Sequence, residues 1–197
     1  MGKSNRLGLA VVERIWDDKT DYSVKPLFDL LAEDERSFRP TLFKQTTFSR
    51  GFLAAIRRFA ADADVRRLHI VAHGCKGKRR GHGKIWGVTH KATVEAIKPG
   101  RGRIEGIYIA ACSVGRVLPV RIMKETDVKW VAYYNGPALW IPSACFETEF
   151  WYNFNHLGSI ARVAREINQR YRELSDTLGF RILLRRGGTL VPLVEPR

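Results

Sequence analysis

Cysteine is scarce in this chain, carboxylates are outnumbered, and apolar runs are short. There are three cysteines in 197 residues, an odd number with no framework spacing. That excludes a disulfide scaffold and points to reduced thiols in a cytoplasmic setting. No apolar stretch approaches the ~20 residues of a membrane-spanning helix, so no membrane association is expected. The opening Met1-Gly2-Lys3-Ser4-Asn5-Arg6 leads into no secretory core, and Arg6 stands where myristoylation wants Ser or Thr. No paired spacing of His and Cys marks a metal site. The glycine-rich stretch after His73 lacks the Gly-Lys-Ser/Thr ending of a phosphate-binding loop. No metal or cofactor is expected.

What is abundant is positive charge. Lys and Arg number 34 against 20 Asp and Glu, a formal net charge of +14. Such a field attracts nucleic acid, acidic proteins or anionic surfaces. The bases are spread along the chain rather than held in a tail, so charge alone leaves the partner open. With 45% hydrophobic residues the chain can bury one sizeable core, and residues 1–197 read as a single domain.

Strands alternate with helices over most of the length. Arg6–Trp16 reads as a first strand followed by a polar loop at Asp17–Asp21. Ser23 reads as an N-cap before a helix carrying Val24, Leu27, Phe28, Leu30 and Leu31. Thr41–Thr46 is a second strand, and Ser49 caps a helix with Phe52, Leu53, Ile56, Phe59 and Ala60 inward. Leu68–Ala72 and Ile107–Ala111 are short β-branched runs of the kind buried in parallel sheets. Between them lie a basic glycine-rich loop, Cys75–Lys84, a short arm at Ile85–Val88 and a helix over Lys91–Ile97. Pro119 predicts a short or irregular helix over Arg116–Glu125.

Val128–Tyr134 is a fifth strand and Phe146–Phe154 an aromatic helix. Ser159 caps one long helix with Ile160, Val163, Ala164, Ile167, Tyr171 and Leu174 inward. Phe180–Leu184 and Leu190–Val194 close the chain as a hairpin. Trp86, Trp130, Trp140, Trp151 and the Phe146/Phe150/Phe154 set read as core rather than as a base-stacking platform. The fold expected is α/β, a three-layer sandwich with a mostly parallel central sheet and helices on both faces.

The two buried runs each stop at a residue capable of covalent chemistry. Leu68-His69-Ile70-Val71-Ala72 ends at His73-Gly74, and Ile107-Tyr108-Ile109-Ala110-Ala111 ends at Cys112-Ser113-Val114-Gly115. Function in open α/β sheets gathers at the carboxyl ends of strands. A histidine ending one strand and a cysteine ending the next set a base beside a thiol nucleophile. His69 reads as structural. Cys75 is the rival thiol, in a loop with no strand to hold it. A metal site of His73, Cys75 and His82 has no paired spacing behind it.

These two motifs, in this order, resemble the caspase-like cysteine peptidases: caspases, metacaspases, gingipain-type enzymes and bacterial CHAT-domain proteases. The likeness continues through Pro137–Leu139, Phe146–Tyr152 and Gly158-Ser159-Ile160, an aromatic helix followed by a Gly-Ser-capped one, and is closest to the CHAT group. The resemblance implies a caspase-like three-layer sandwich and a thiol protease with Cys112 as nucleophile and His73 as general base and acid. It also implies an oxyanion hole from the N–H groups of Gly74 and Cys112. CHAT-type relatives often serve as effectors in prokaryotic defence or cell-death modules, switched on by an activating partner protein, so an antiviral role is the extension by analogy.

The chain departs from that pattern in its substrate pocket. Caspases carry Gln and metacaspases Asp where Ala110 stands. Tyr133, Tyr134, Asn135 and Gly136 form a further expected pocket wall without charge. Arg14, ending the first strand, is placed where a caspase-type arginine meets an acidic substrate side chain. Two other readings stay open. One is a non-proteolytic caspase-fold binding module recruited to nucleic acid or an acidic partner through its basic surface. The other is a hydrolase or transferase with the same dyad and a small acyl substrate. The basic loop Lys76–Lys84 is open between an anion cradle, a gate over the cleft and a solvated loop.

Overall fold

Alternate residues of β1 (Leu9–Arg14) enter two different cores, with Leu9 and Val11 in one and Ala10 and Val12 in the other. That period of two makes β1 a strand buried on both faces, and helices must then cover both. The structure, a computed structural model, describes residues 8–15, 23–34, 42–77 and 82–194. The outer parts of the expected first strand, the polar loop Asp17–Asp21 and Lys78–Gly81 of the basic loop lie outside the described residues.

The main sheet has seven strands. β2 (Leu42–Thr46), β1, β3 (Arg67–Val71), β6 (Gly106–Ala110) and β7 (Trp130–Tyr134) run parallel in that spatial order, and β8 (Phe180–Arg186) and β9 (Thr189–Val194) complete it antiparallel. β8 and β9 are joined by Gly187-Gly188, with φ of 56° and 81°, the two left-handed residues a tight hairpin turn needs. Pro192 is tolerated because β9 is an edge strand. A second, two-stranded ribbon pairs β4 (Gly74–Cys75) with β5 (Lys84–Ile85).

Helices α2 (Ser49–Ala61), α3 (His90–Ile97) and α4 (Val117–Thr126) pack on one face. Phe52, Ile56, Val94, Leu118 and Ile122 meet Leu68, Ile70, Ile107 and Ile109 there. Helices α1 (Lys25–Asp34), α5 (Trp140–Leu157), α6 (Ile160–Arg170) and α7 (Arg172–Thr177) line the other. On that face Phe28, Phe150, Trp151, Phe154 and Val163 pack against Tyr108, Trp130 and Tyr134. This is the expected α/β three-layer sandwich.

Four features differ from the sequence reading. Pro119 does not shorten its helix, since it falls in the first turn of the ten-residue α4, where an N–H has no intrahelical partner. Pro142 does the same in α5, which starts at Trp140 rather than Phe146. The single long helix after Ser159 is two, broken at Tyr171, whose backbone leaves the helical region (φ −118°, ψ 24°) while its hydroxyl donates to Glu149 Oε2 at 2.8 Å. Ser49 is the first helical residue of α2, and Phe48 occupies the cap position.

The chain reverses direction across the sheet between β2 and β3, with α1 on one face and α2 on the other. The carboxyl ends of β1 and β3 therefore flank a topological switch point, where α/β sheets open a crevice. Arg14 ends β1, and His73 lies two residues beyond β3.

Candidate active site

β3 and β6 are neighbouring parallel strands whose last paired residues are Val71 and Ala110. Ala72 N–H still donates to the Ala110 carbonyl at 3.1 Å. His73 and Cys112 each stand two residues past that final pair, at matching positions on strands about 4.8 Å apart. The next residue on the β3 side, Gly74, lies against the backbone of Cys112 so closely that a Cβ on it would overlap the Cys112 carbonyl oxygen. Only glycine allows that approach. The β4/β5 ribbon then folds over the same edge, and Trp86 N–H donates to the His73 carbonyl at 2.8 Å.

The turn carrying Cys112 is tied to its other neighbour. Ser113 N–H donates to the Gly136 carbonyl at 2.8 Å and Val114 N–H to the Tyr134 carbonyl at 3.0 Å. Ser113 adopts a left-handed φ of 51°. Cys112 is half-buried, with its sulfur accepting from Ala138 N–H at 3.3 Å and lying 3.4 Å from the Ala138 carbonyl oxygen. Below the thiol is a small pocket whose lining includes Ala110, Tyr134, Trp140, Ser143 and Glu147.

His73 is flanked by Arg14 and Trp86. Arg14 donates to the Trp86 carbonyl at 2.6 Å, its guanidinium lies 5.9 Å from the indole centroid, and the indole meets the imidazole edge-on at 5.9 Å. Burial first, and the Arg14 cation second, hold the His73 imidazole below its ordinary value. At neutral pH it is therefore uncharged and able to accept a proton.

Beneath the pocket lies a buried polar network that the sequence reading missed. Tyr108 and Tyr134 share a 2.7 Å hydroxyl contact, Tyr134 donates to Glu147 Oε1 at 3.1 Å, and Glu147 Oε2 is 3.1 Å from His69 Nε2. The other ring nitrogen of His69 accepts from the Trp151 indole at 3.1 Å, which confirms a structural role for His69. Glu13, fully buried, accepts from Ser23 Oγ at 2.6 Å and from Val24 N–H at 2.8 Å. Burial raises its carboxyl above the usual range, against the pull of those two hydrogen bonds. The signal was present: Glu13 continues the inward alternation of Leu9 and Val11, and Glu147 sits on the face of α5 that carries Phe146, Phe150 and Trp151.

Other residues singled out from the sequence are placed as follows. Ala110 lines the pocket beside Cys112. Tyr133 is not a pocket wall, because its position in β7 turns it into the core against α4. Tyr134 is also buried and floors the pocket with its hydroxyl turned to Glu147. Asn135 is exposed at the mouth of a separate cleft. Cys75 is partly exposed and, contrary to expectation, is held in a strand, paired with Lys84. Among the described residues no group of three His, Cys, Asp or Glu side chains is arranged to hold a metal ion, His73, Cys75 and His82 included. No helix among them is long and apolar enough to cross a membrane.

Trp130, Trp151 and the three phenylalanines are core, but Trp86 is 56% exposed beside His73. Among the described residues, Phe48, Trp86, Leu139 and Ile141 are four of the six large apolar side chains that are exposed. Phe48, Trp86 and Leu139 lie on connections that follow strands of the sheet, and Ile141 is in the first turn of α5. Compared with known proteins, the sequence matches no family model and has no significant match among curated proteins.

Proposed function

We propose that this chain is a caspase-like cysteine endopeptidase with Cys112 as nucleophile and His73 as base. The observation that carries the proposal is the matched placement of His73 and Cys112 on neighbouring parallel strands, with Gly74 pressed against the Cys112 backbone.

In the proposed cycle the peptide to be cut lies over the carboxyl edge, its carbonyl carbon at the Cys112 sulfur. His73, uncharged at rest, takes the thiol proton as the S–C bond forms. The developing oxyanion is held by N–H groups of Gly74 and Cys112. Collapse of the tetrahedral adduct breaks the C–N bond, and His73 returns its proton to the leaving amine. Water then attacks the thioester, giving its proton to His73, and the thiol is regenerated. The Ala138 N–H, already donating to the sulfur, favours any negative charge that builds there. Trp86, Leu139 and Ile141 would contact substrate side chains, and Arg14 stands close enough to His73 to act on both its charge and the bound peptide.

The test is cleavage itself. The purified chain is incubated with a diverse peptide mixture and new termini are read by mass spectrometry. Cuts that vanish in both Cys112→Ala and His73→Ala support the proposal. Turnover of small thioesters with every peptide left intact would move the reading to an acyl hydrolase with the same dyad.

A further inference from the structure

A second cleft, of about 1060 Å³, opens beside the turn that carries Cys112. One wall is α4, whose Val117, Val120, Arg121 and Lys124 recur at helical spacing along one face. The other wall is the stem of the β4/β5 ribbon, with Lys76. Arg116, Arg121, Lys124 and Lys76 bring four cations to the lining against one carboxylate, Glu125, which is paired with Arg121 at 2.6 Å and lies 3.7 Å from Lys98. Ser113, the residue after the nucleophile, belongs to the same lining, so the cleft adjoins the candidate site.

We infer that this cleft holds an acidic segment of the protein substrate, on one side of the bond to be cut. The inference rests on the peptidase reading and adds a substrate class to it. Val117 to Lys124 spans about 10 Å of helix, enough to face about three residues of extended chain. Asp or Glu side chains on such a segment meet Arg116, Lys124 and Lys76. A nucleic acid fits less well. None of the described lining residues is aromatic, so bases find no stacking surface. The groove is also short for a phosphate backbone, and Glu125 interrupts its field.

The inference is tested by binding in Cys112→Ala protein, so that turnover plays no part. Fluorescence anisotropy follows a labelled peptide with an Asp-Glu-Asp core, the same peptide with Asn-Gln-Asn, and a labelled single-stranded oligonucleotide. The acidic peptide should bind best, and more weakly as salt rises. Arg116→Glu with Lys124→Glu should weaken it about tenfold or more, whereas Arg162→Glu with Arg165→Glu, the same charge change on exposed positions of α6, should alter it less than about twofold. Lys76→Glu on the opposite wall serves as a second variant should the double change unfold the protein.

Equal weakening by both double variants would overturn the inference, since the overall charge would then be the cause. Absence of preference for the acidic over the neutral peptide would overturn it too. Tighter binding of the oligonucleotide with the same dependence on Arg116 and Lys124 would replace it with a nucleic-acid cleft. If Cys112 proves chemically reactive and the peptide does not bind, only the cleft inference fails. If the peptide binds and Cys112 proves inert, only the peptidase reading fails.

Discussion

The sulfur of Cys112 accepts a hydrogen bond from the backbone N–H of Ala138 at 3.3 Å. The same residue's carbonyl oxygen is 3.4 Å away on the side available to a thiol proton. The connection between β7 and α5 thus laps over the sulfur opposite the β3 edge, where His73 stands. A thiol hydrogen can rest on the Ala138 carbonyl, and a sulfur that has lost it keeps the Ala138 donor. An imidazole held uncharged is in the form that accepts a thiol proton during attack.

Gly74→Ala tests how tightly the two edges are joined. The new Cβ would overlap backbone atoms of Cys112, which cannot move aside as a flexible side chain can. Destabilisation on the order of 3 kcal/mol is expected, read as a lower denaturation midpoint, together with slower reaction of Cys112 with alkylating reagents. A variant as stable and as reactive as the parent would show that the close approach is not needed.

The influence of Arg14 on His73 is read from a pH profile. Burial and the Arg14 cation both lower the His73 imidazole, so the rising acid limb of Cys112 reactivity should lie below the ordinary histidine range. Arg14→Gln removes the cation and leaves the burial, and the limb should move to higher pH. An unmoved limb would exclude Arg14 as a cause.

Much of this arrangement was legible in the sequence, for physical reasons that can be named. The runs ending at His73 and Cys112 are short, β-branched and apolar, which only a doubly covered strand accommodates. Gly187-Gly188 announced its hairpin through the left-handed backbone the turn requires. Pro119 misled because its cost depends on position within a helix, and the first turn hides that cost. Tyr134 lines the pocket as its place at a strand end suggests, whereas Tyr133, one residue earlier, faces the opposite side of β7 and is core. Trp86 read as core by size alone. Glu13 and Glu147 escape a reading in which carboxylates mark solvent, and only three-dimensional proximity shows the Ser23 and Tyr134 hydroxyls that donate to them.

Glu147 should matter for stability more than its charge suggests. Glu147→Leu takes from the Tyr134 hydroxyl its carboxylate acceptor in a buried site. A buried donor that loses its acceptor costs about 1–3 kcal/mol, so a loss on the order of 2 kcal/mol is expected in chemical denaturation. Glu147→Gln, which keeps an acceptor, should lose less. Equal losses would show that volume rather than hydrogen bonding sets the cost.

Glu13 makes its own contribution to the pH dependence of folding. Its folded carboxyl binds a proton more tightly than an unfolded glutamate, because burial raises it. The stability it adds is fully present below the unfolded value of about 4.3 and is lost as pH rises through its raised folded value. Denaturation curves across that window should show this fall, and Glu13→Gln should flatten it. A slope unchanged by the substitution would place the titration elsewhere.

Competition between thiols tests the central claim most directly. Cys145 is exposed on α5, Cys75 is partly exposed in the ribbon, and Cys112 is half-buried. Accessibility alone ranks Cys145 first. Brief treatment with iodoacetamide near neutral pH, with the modified residue located by mass spectrometry, should instead find Cys112 first, and His73→Ala should remove that lead. Labelling in order of exposure, unchanged by His73→Ala, would contradict a Cys112/His73 dyad.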